Sequence, residues 1–168
     1  NGWLVLSTLL VAASYAAAAD ISVNCDRGQS LSRAISVLPR GTANTITVQG
    51  TCTEYLQIRG LENLKVRGTT GARLVQPPVD PGRPCLALGA LTIDASRSIT
   101  IEGLSVQAST TDTCSSAVFV NNGSSDIRVR GVTVTGGDQS FCVAHNSQVS
   151  LAGVVGRDPI WATVGVFD

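Results

Sequence analysis

Apolar and polar positions alternate along this chain in short pieces, and the pieces recur. The stretch "AVFVNNGSSDIRVRGVTVTGG" (117–137) alternates, breaks at Asn-Asn-Gly, alternates again, meets a glycine and alternates a third time. Related stretches stand at "NLKVRG" (63–68), "SITIEGLSV" (98–106) and "QVSLAGVVG" (148–156). Gly68, Gly103, Gly131 and Gly153 each follow apolar residues four and two positions back: Leu64/Val66, Ile99/Ile101, Ile127/Val129 and Val149/Leu151. The residue between each pair is Lys65, Thr100, Arg128 or Ser150, so each piece reads as a strand with one buried and one wet face.

A second strand precedes the first in every unit and contributes Leu56/Ile58, Leu91/Ile93, Val118/Val120 and Phe141/Val143. The step from its last apolar residue to the glycine is 10, 10, 11 and 10, whereas successive units lie 35, 27 and 23 residues apart. A constant step inside the unit and a variable one between units predict a fixed module with loops inserted at one place. Beyond the glycine the inward positions change parity in three units, to Leu104/Val106, Val132/Val134 and Val154. A bend absorbs one residue there, and glycine tolerates the dihedrals it needs. Three short strands per unit, each with one inward stripe, predict a coil; stacked coils pair in parallel around one apolar interior. An antiparallel β-sandwich, also built from many short strands, is the alternative.

The repeated "SITIEGLSV" and "DIRVRGVTV" units, with the segment "GQSLSRAISVLPRG", resemble the right-handed parallel β-helix (pectate-lyase-like) superfamily over about residues 21–168. The resemblance implies an all-β solenoid with a short N-terminal capping helix. Leu31, Ala34, Ile35 and Leu38 share one helical face, and Pro39 and Gly41 stop the helix, which is expected over 28–38 within a cap spanning about 20–45.

The ends carry their own expectations. "NGWLVLSTLLVAASYAAAAD" reads as a secretory signal peptide over 1–19, with Ala17-Ala18-Ala19 before the cleavage point and a mature domain over 20–168. No basic n-region and no initiator Met precede it, so truncation at the front is expected. An uncleaved membrane anchor is the alternative, although the apolar run is short for a span. "WATVGVFD" starts a fifth unit and stops before its second strand, so a C-terminal truncation is expected too. The predicted location is secreted, periplasmic or cell surface, with no stable membrane insertion after signal removal.

Composition narrows the partners. The 168 residues carry 12 Lys+Arg and 12 Asp+Glu, a formal net charge of zero, which argues against nucleic acid. Five cysteines in an exported chain predict disulfides. Cys25 and Cys52 each end a short strand, one on either side of the cap helix, and are expected to pair. Cys85 and Cys114 lie in two long inter-unit loops, 76–89 and 107–116, and are expected to pair as well, leaving Cys142 free; Cys114–Cys142 with Cys85 free competes. Long spacings, no CxxC and one histidine, His145, predict no metal site, and no cofactor is expected.

Candidate chemistry lies on outward positions. Arg128 and Arg130 with Arg67 suit the carboxylate of an acidic sugar, because guanidinium pairs bidentately; Asp94 is a further outward candidate. A solvated strand face with Glu102 balancing the arginines is the plainer reading. Asp112, Asp138 and Asp158 follow their glycines at drifting offsets of 9, 7 and 5, which favours turn formation over paired carboxylates or calcium ligation. Asn122-Gly123-Ser124 is a formal glycosylation sequon and also a favoured turn pair. The motifs of β-helix pectin hydrolases (Asn-Thr-Asp, Asp-Asp, Gly-His-Gly, Arg-Ile-Lys) are absent. Two classes follow: an exported β-helix without a catalytic site, with a glycan-binding or surface role, or the N-terminal part of a polysaccharide lyase, hydrolase or epimerase. Polysaccharide is the expected partner in either.

Overall fold

The computed structural model describes residues 17–78, 89–110 and 115–167. The chain winds as a right-handed parallel β-helix with three sheets. Sheet A stacks β1 (Asp20–Asn24), β2 (Asn44–Gln49), β5 (Glu62–Gly68), β8 (Arg97–Glu102), β11 (Ser125–Arg130) and β14 (Val149–Ala152). Sheet B stacks β3 (Thr51–Thr53), β6 (Arg73–Val75), β9 (Ser105–Gln107), β12 (Thr133–Thr135) and β15 (Val155–Arg157). Sheet C stacks β4 (Leu56–Arg59), β7 (Gly89–Asp94), β10 (Ser116–Asn121), β13 (Gln139–Ala144) and β16 (Ala162–Phe167). Every strand ladder is parallel; β10 pairs with β7 and β13 and not with β11, which excludes the sandwich.

The register follows the inward stripes. Leu56, Leu91, Val118, Phe141 and Val164 form one column on sheet C. Leu64, Ile99, Ile127 and Val149 form the matching column on sheet A. Past the glycine corner, Leu74, Val106 and Val134 align on sheet B. Apart from Val164, these side chains make one core, in which Leu56, Ile58, Leu74, Ile99 and Ile101 are wholly buried. Each such residue contributes roughly 1.5–3 kcal/mol of transfer free energy. Val164 and Val166 continue the columns at the last strand and are exposed, with no described coil stacked beyond them.

The cap differs in detail from the expectation. Helix α1 spans only Leu31–Ser36, after a 3-10 turn at Cys25–Arg27. Ser30 closes its start by accepting the Arg33 amide at 3.1 Å, which begins the helix at Leu31, three residues later than the expected start at 28. Strand β1 adds an extra parallel strand to sheet A ahead of the first full coil, with Ile21 beside Ile46 and Val23 beside Val48. The expected disulfide Cys25–Cys52 is present, with Cα atoms 5.0 Å apart, and joins the cap to β3. Cys142 is free and buried. The Cys85–Cys114 pairing, Asp112, and residues 1–16 of the expected signal peptide lie outside the described residues.

Candidate functional site

The four outward candidates fall on two sheets. Arg67 stands on β5, and Arg128 and Arg130 on β11, all exposed on the outer face of sheet A. Between these strands, β8 places Glu102 in register with Arg67 on one side and Arg130 on the other. The Glu102 carboxylate reaches neither guanidinium: its ion pair is with Lys65, at 2.8 Å. Arg128 pairs with Asp126 at 2.8 Å, two residues back along its own strand. Among the described residues, Arg67 and Arg130 have no ion-pair partner. They are separated by two strand spacings, about 10 Å. Glu102 therefore balances Lys65 and not the arginines, contrary to the expectation from the sequence.

Asp94 is not part of that face. It closes strand β7 on sheet C, where its side chain is only 10 % exposed. One carboxylate oxygen takes the Arg59 Nε at 2.6 Å, from the coil before it in sequence. The other takes the Asn122 amide, from the coil after it. Beside this chain, His145 Nδ1 meets Asn121 Oδ1. Ala95, Asn122 and His145 occupy one turn position in successive coils, with φ of 45°, 52° and 52°. That left-handed conformation is the usual place for Asn in a turn. The alternation that turns Leu56/Ile58, Leu91/Ile93 and Val118/Val120 inward puts Arg59, Asp94 and Asn121 outward, and the shared turn geometry then adds Asn122 and His145 to the cluster.

The outer face of sheet C is not a wet strand face in the middle coils. Thr92, Asp94, Phe119, Asn121, Cys142 and Ala144 are all buried. Phe119, Cys142 and Ala144 pack as a second apolar cluster outside the main core. Cys142, His145 and Asn121 therefore share a face without forming a nucleophile and base. Burial pushes the Cys142 thiol up, and the Asp138 charge adds to this against a hydrogen bond with Ser116, so the thiol is poorly nucleophilic.

The sequon is built into the fold. Ser124 is wholly buried, and its hydroxyl donates to the Asn121 carbonyl at 2.6 Å while accepting the Ser96 amide at 3.2 Å. Asp138 and Asp158 do not join a cluster of metal-ligating side chains among the described residues. The one such cluster there is Cys25, Cys52 and Glu54, and its two sulfurs are bonded to each other. No helix among the described residues is long and apolar enough to cross a membrane.

No family model matches the chain, and no curated protein matches it significantly. Solved structures match the fold. A pectin methylesterase mutant in complex with a hexasaccharide superposes with a TM-score of 0.58 at 17 % identity, over 85 % of this chain and 49 % of its own. A second pectin methylesterase, solved with another hexasaccharide, gives 0.57 at 18 %, over 83 % and 50 %. Pectin methylesterase PemA from Erwinia chrysanthemi also gives 0.57 at 18 %, over 83 % and 50 %. The chain thus spans about half the length of these structures, and at such identity the likeness shows the parallel β-helix fold alone.

Proposed function

We propose that this chain is an exported β-helix that binds an acidic polysaccharide along the outer face of sheet A, without cleaving it. The carrying observation is the column Arg67–Glu102–Arg130, in which the central carboxylate is engaged by Lys65 and neither guanidinium has an ion-pair partner among the described residues. Two arginines two strands apart suit successive carboxylates of a chain lying across the strands. The Cys25–Cys52 disulfide supports export to an oxidising compartment. Affinity electrophoresis in gels containing polygalacturonate or alginate tests the reading. Retardation is expected, weakened by salt and by Arg67→Ala or Arg130→Ala, and absent with a neutral glucan. Equal mobility in all gels overturns it.

The second reading is the N-terminal part of a carbohydrate-active enzyme. It is favoured by the three neighbours, which are pectin methylesterase structures of which this chain covers about half, two of them solved with hexasaccharides. Its chemistry would lie on sheet C, where Asp94 and His145 stand in adjoining polar contacts. Release of methanol from methylated pectin, or of unsaturated products from polygalacturonate, lost on Asp94→Asn, would establish it in place of the binding reading.

A further inference from the structure

The outer face of sheet A offers a polymer three positions in a row. Arg67, Glu102 and Arg130 stand in register on β5, β8 and β11. A pyranose unit lengthens an extended chain by about one strand spacing, ~5 Å. Three successive units laid across the strands therefore meet Arg67, Glu102 and Arg130 in turn. The two outer positions each present a guanidinium with no ion-pair partner among the described residues. The middle position differs. One Glu102 oxygen holds the Lys65 ammonium at 2.8 Å, and the other has no hydrogen-bond partner among the described residues. A carboxylate on the middle unit would give up water without gaining a free cation, and it would face a second carboxylate. A hydroxyl there gains a charged acceptor instead. Beside the column, a shallow groove of about 420 Å³ crosses the starts of β2, β5, β8 and β11. These are successive strands of sheet A, so the groove follows the solenoid axis. Thr45, Asn63, Ser98 and Thr100 line it with neutral hydroxyl and amide groups. Its charged lining is already matched, Arg128 with Asp126 and Lys65 with Glu102. The groove thus suits ring hydroxyls, and the acid-reading groups are confined to the two ends of the column. We infer that this face takes a polysaccharide in which a hexuronate alternates with a neutral sugar, and that Glu102 sets the preference; the inference rests on the polysaccharide reading of sheet A. Its selectivity comes from what the middle position refuses as much as from what the arginines hold.

Calorimetric titration of the whole chain with two hexasaccharides tests this. In one, from hyaluronan, glucuronate alternates with N-acetylglucosamine; in the other, from polyglucuronate, every unit is acidic. The hyaluronan fragment should bind at least about fivefold more tightly, although simple ionic attraction favours the more charged oligomer. Arg67→Ala or Arg130→Ala should weaken both by about tenfold. Glu102→Gln should tighten polyglucuronate by about fivefold, because Lys65 is then free to receive the middle carboxylate, and should leave hyaluronan within about twofold, because the amide oxygen still accepts a hydroxyl. Equal or tighter binding of polyglucuronate by the parent, or no change in the ratio with Glu102→Gln, overturns the inference; the polysaccharide reading stands in that case as long as Arg67→Ala weakens both oligomers. Failure of both oligomers to bind overturns that reading and the inference with it.

Discussion

The Glu54 carboxylate accepts the backbone amide of Leu31 at 2.7 Å, across 23 residues of chain. It also takes the Ser32 amide at 3.0 Å and the Ser30 hydroxyl at 2.9 Å, so the first coil caps the helix that covers it. Burial raises the Glu54 pKa, but the hydrogen bonds from Ser32, Leu31 and Ser30 outweigh it and hold the net value below the ordinary glutamate range. The folded form thus prefers the ionised group. Its contribution is complete above the unfolded value, near 4.3, and is lost as pH falls through the lower folded value. Glu54→Gln should cost about 1 kcal/mol at neutral pH, allowing for solvent screening of a partly exposed group. Urea midpoints at pH 7 and pH 3 check this: the gap between variant and parent should narrow in acid.

The disulfide acts on the same junction. Cys25 and Cys52 are 27 residues apart, and closing that loop is worth about 3.5 kcal/mol in the loop-entropy account. The double variant Cys25→Ser/Cys52→Ser should lose most of that in urea unfolding while keeping its parallel-β circular dichroism. A loss of well under 1 kcal/mol would show that the cap is held by Glu54 and packing alone.

Cys142 should behave as a core residue. Its thiol is buried and pushed up, so iodoacetamide at pH 8 should label it slowly in the native protein and quickly in urea. Rapid native labelling, read by intact mass, would contradict the packing of β13 against β10.

Asp94 and Arg67 should separate cleanly in stability. Asp94→Ala removes the buried acceptor that Arg59 and Asn122 share and, because both donors are exposed and can turn to water, should cost about 1 kcal/mol. Arg67→Ala removes an exposed side chain and should stay within about 0.5 kcal/mol. Thermal unfolding of both variants reads the difference, and it also shows that any polysaccharide binding lost by Arg67→Ala is not lost through unfolding.

The glycine corners should differ from one another. A Cβ on Gly68 would collide with the Gly103 carbonyl oxygen of the next coil, so Gly68→Ala should disturb the stacking itself. Gly131 has a φ of 55° and nothing within 4 Å of a built Cβ, so Gly131→Ala carries only the conformational cost, about 1–2 kcal/mol. Urea unfolding should rank Gly68→Ala as the more damaging of the two.

The coil, its three strands and their register were determined by the sequence alone. The pleat has a period of two, so each apolar stripe declares its inward face from a few neighbouring residues. The constant step to Gly68, Gly103, Gly131 and Gly153 then places each strand against its equivalent one coil away. The Cys25–Cys52 bond was legible for the same reason, since the pattern puts both cysteines at short strands at the start of that frame, although Cys25 opens the 3-10 turn just after β1 and Cys52 is the middle residue of β3. What the tertiary structure alone decided is which outward groups meet. Asp94 is committed to Arg59 and Asn122, at separations of 35 and 28 residues, while Arg67 and Arg130, on another sheet, have no ion-pair partner among the described residues. It also decided that Glu54 caps α1, that β1 extends sheet A, and that Phe119 and Cys142 are buried although they point outward. Inward placement is a local property of strand geometry. Outward partners depend on side-chain reach, on turn dihedrals and on which coils lie side by side, and none of these leaves a periodic trace in the chain.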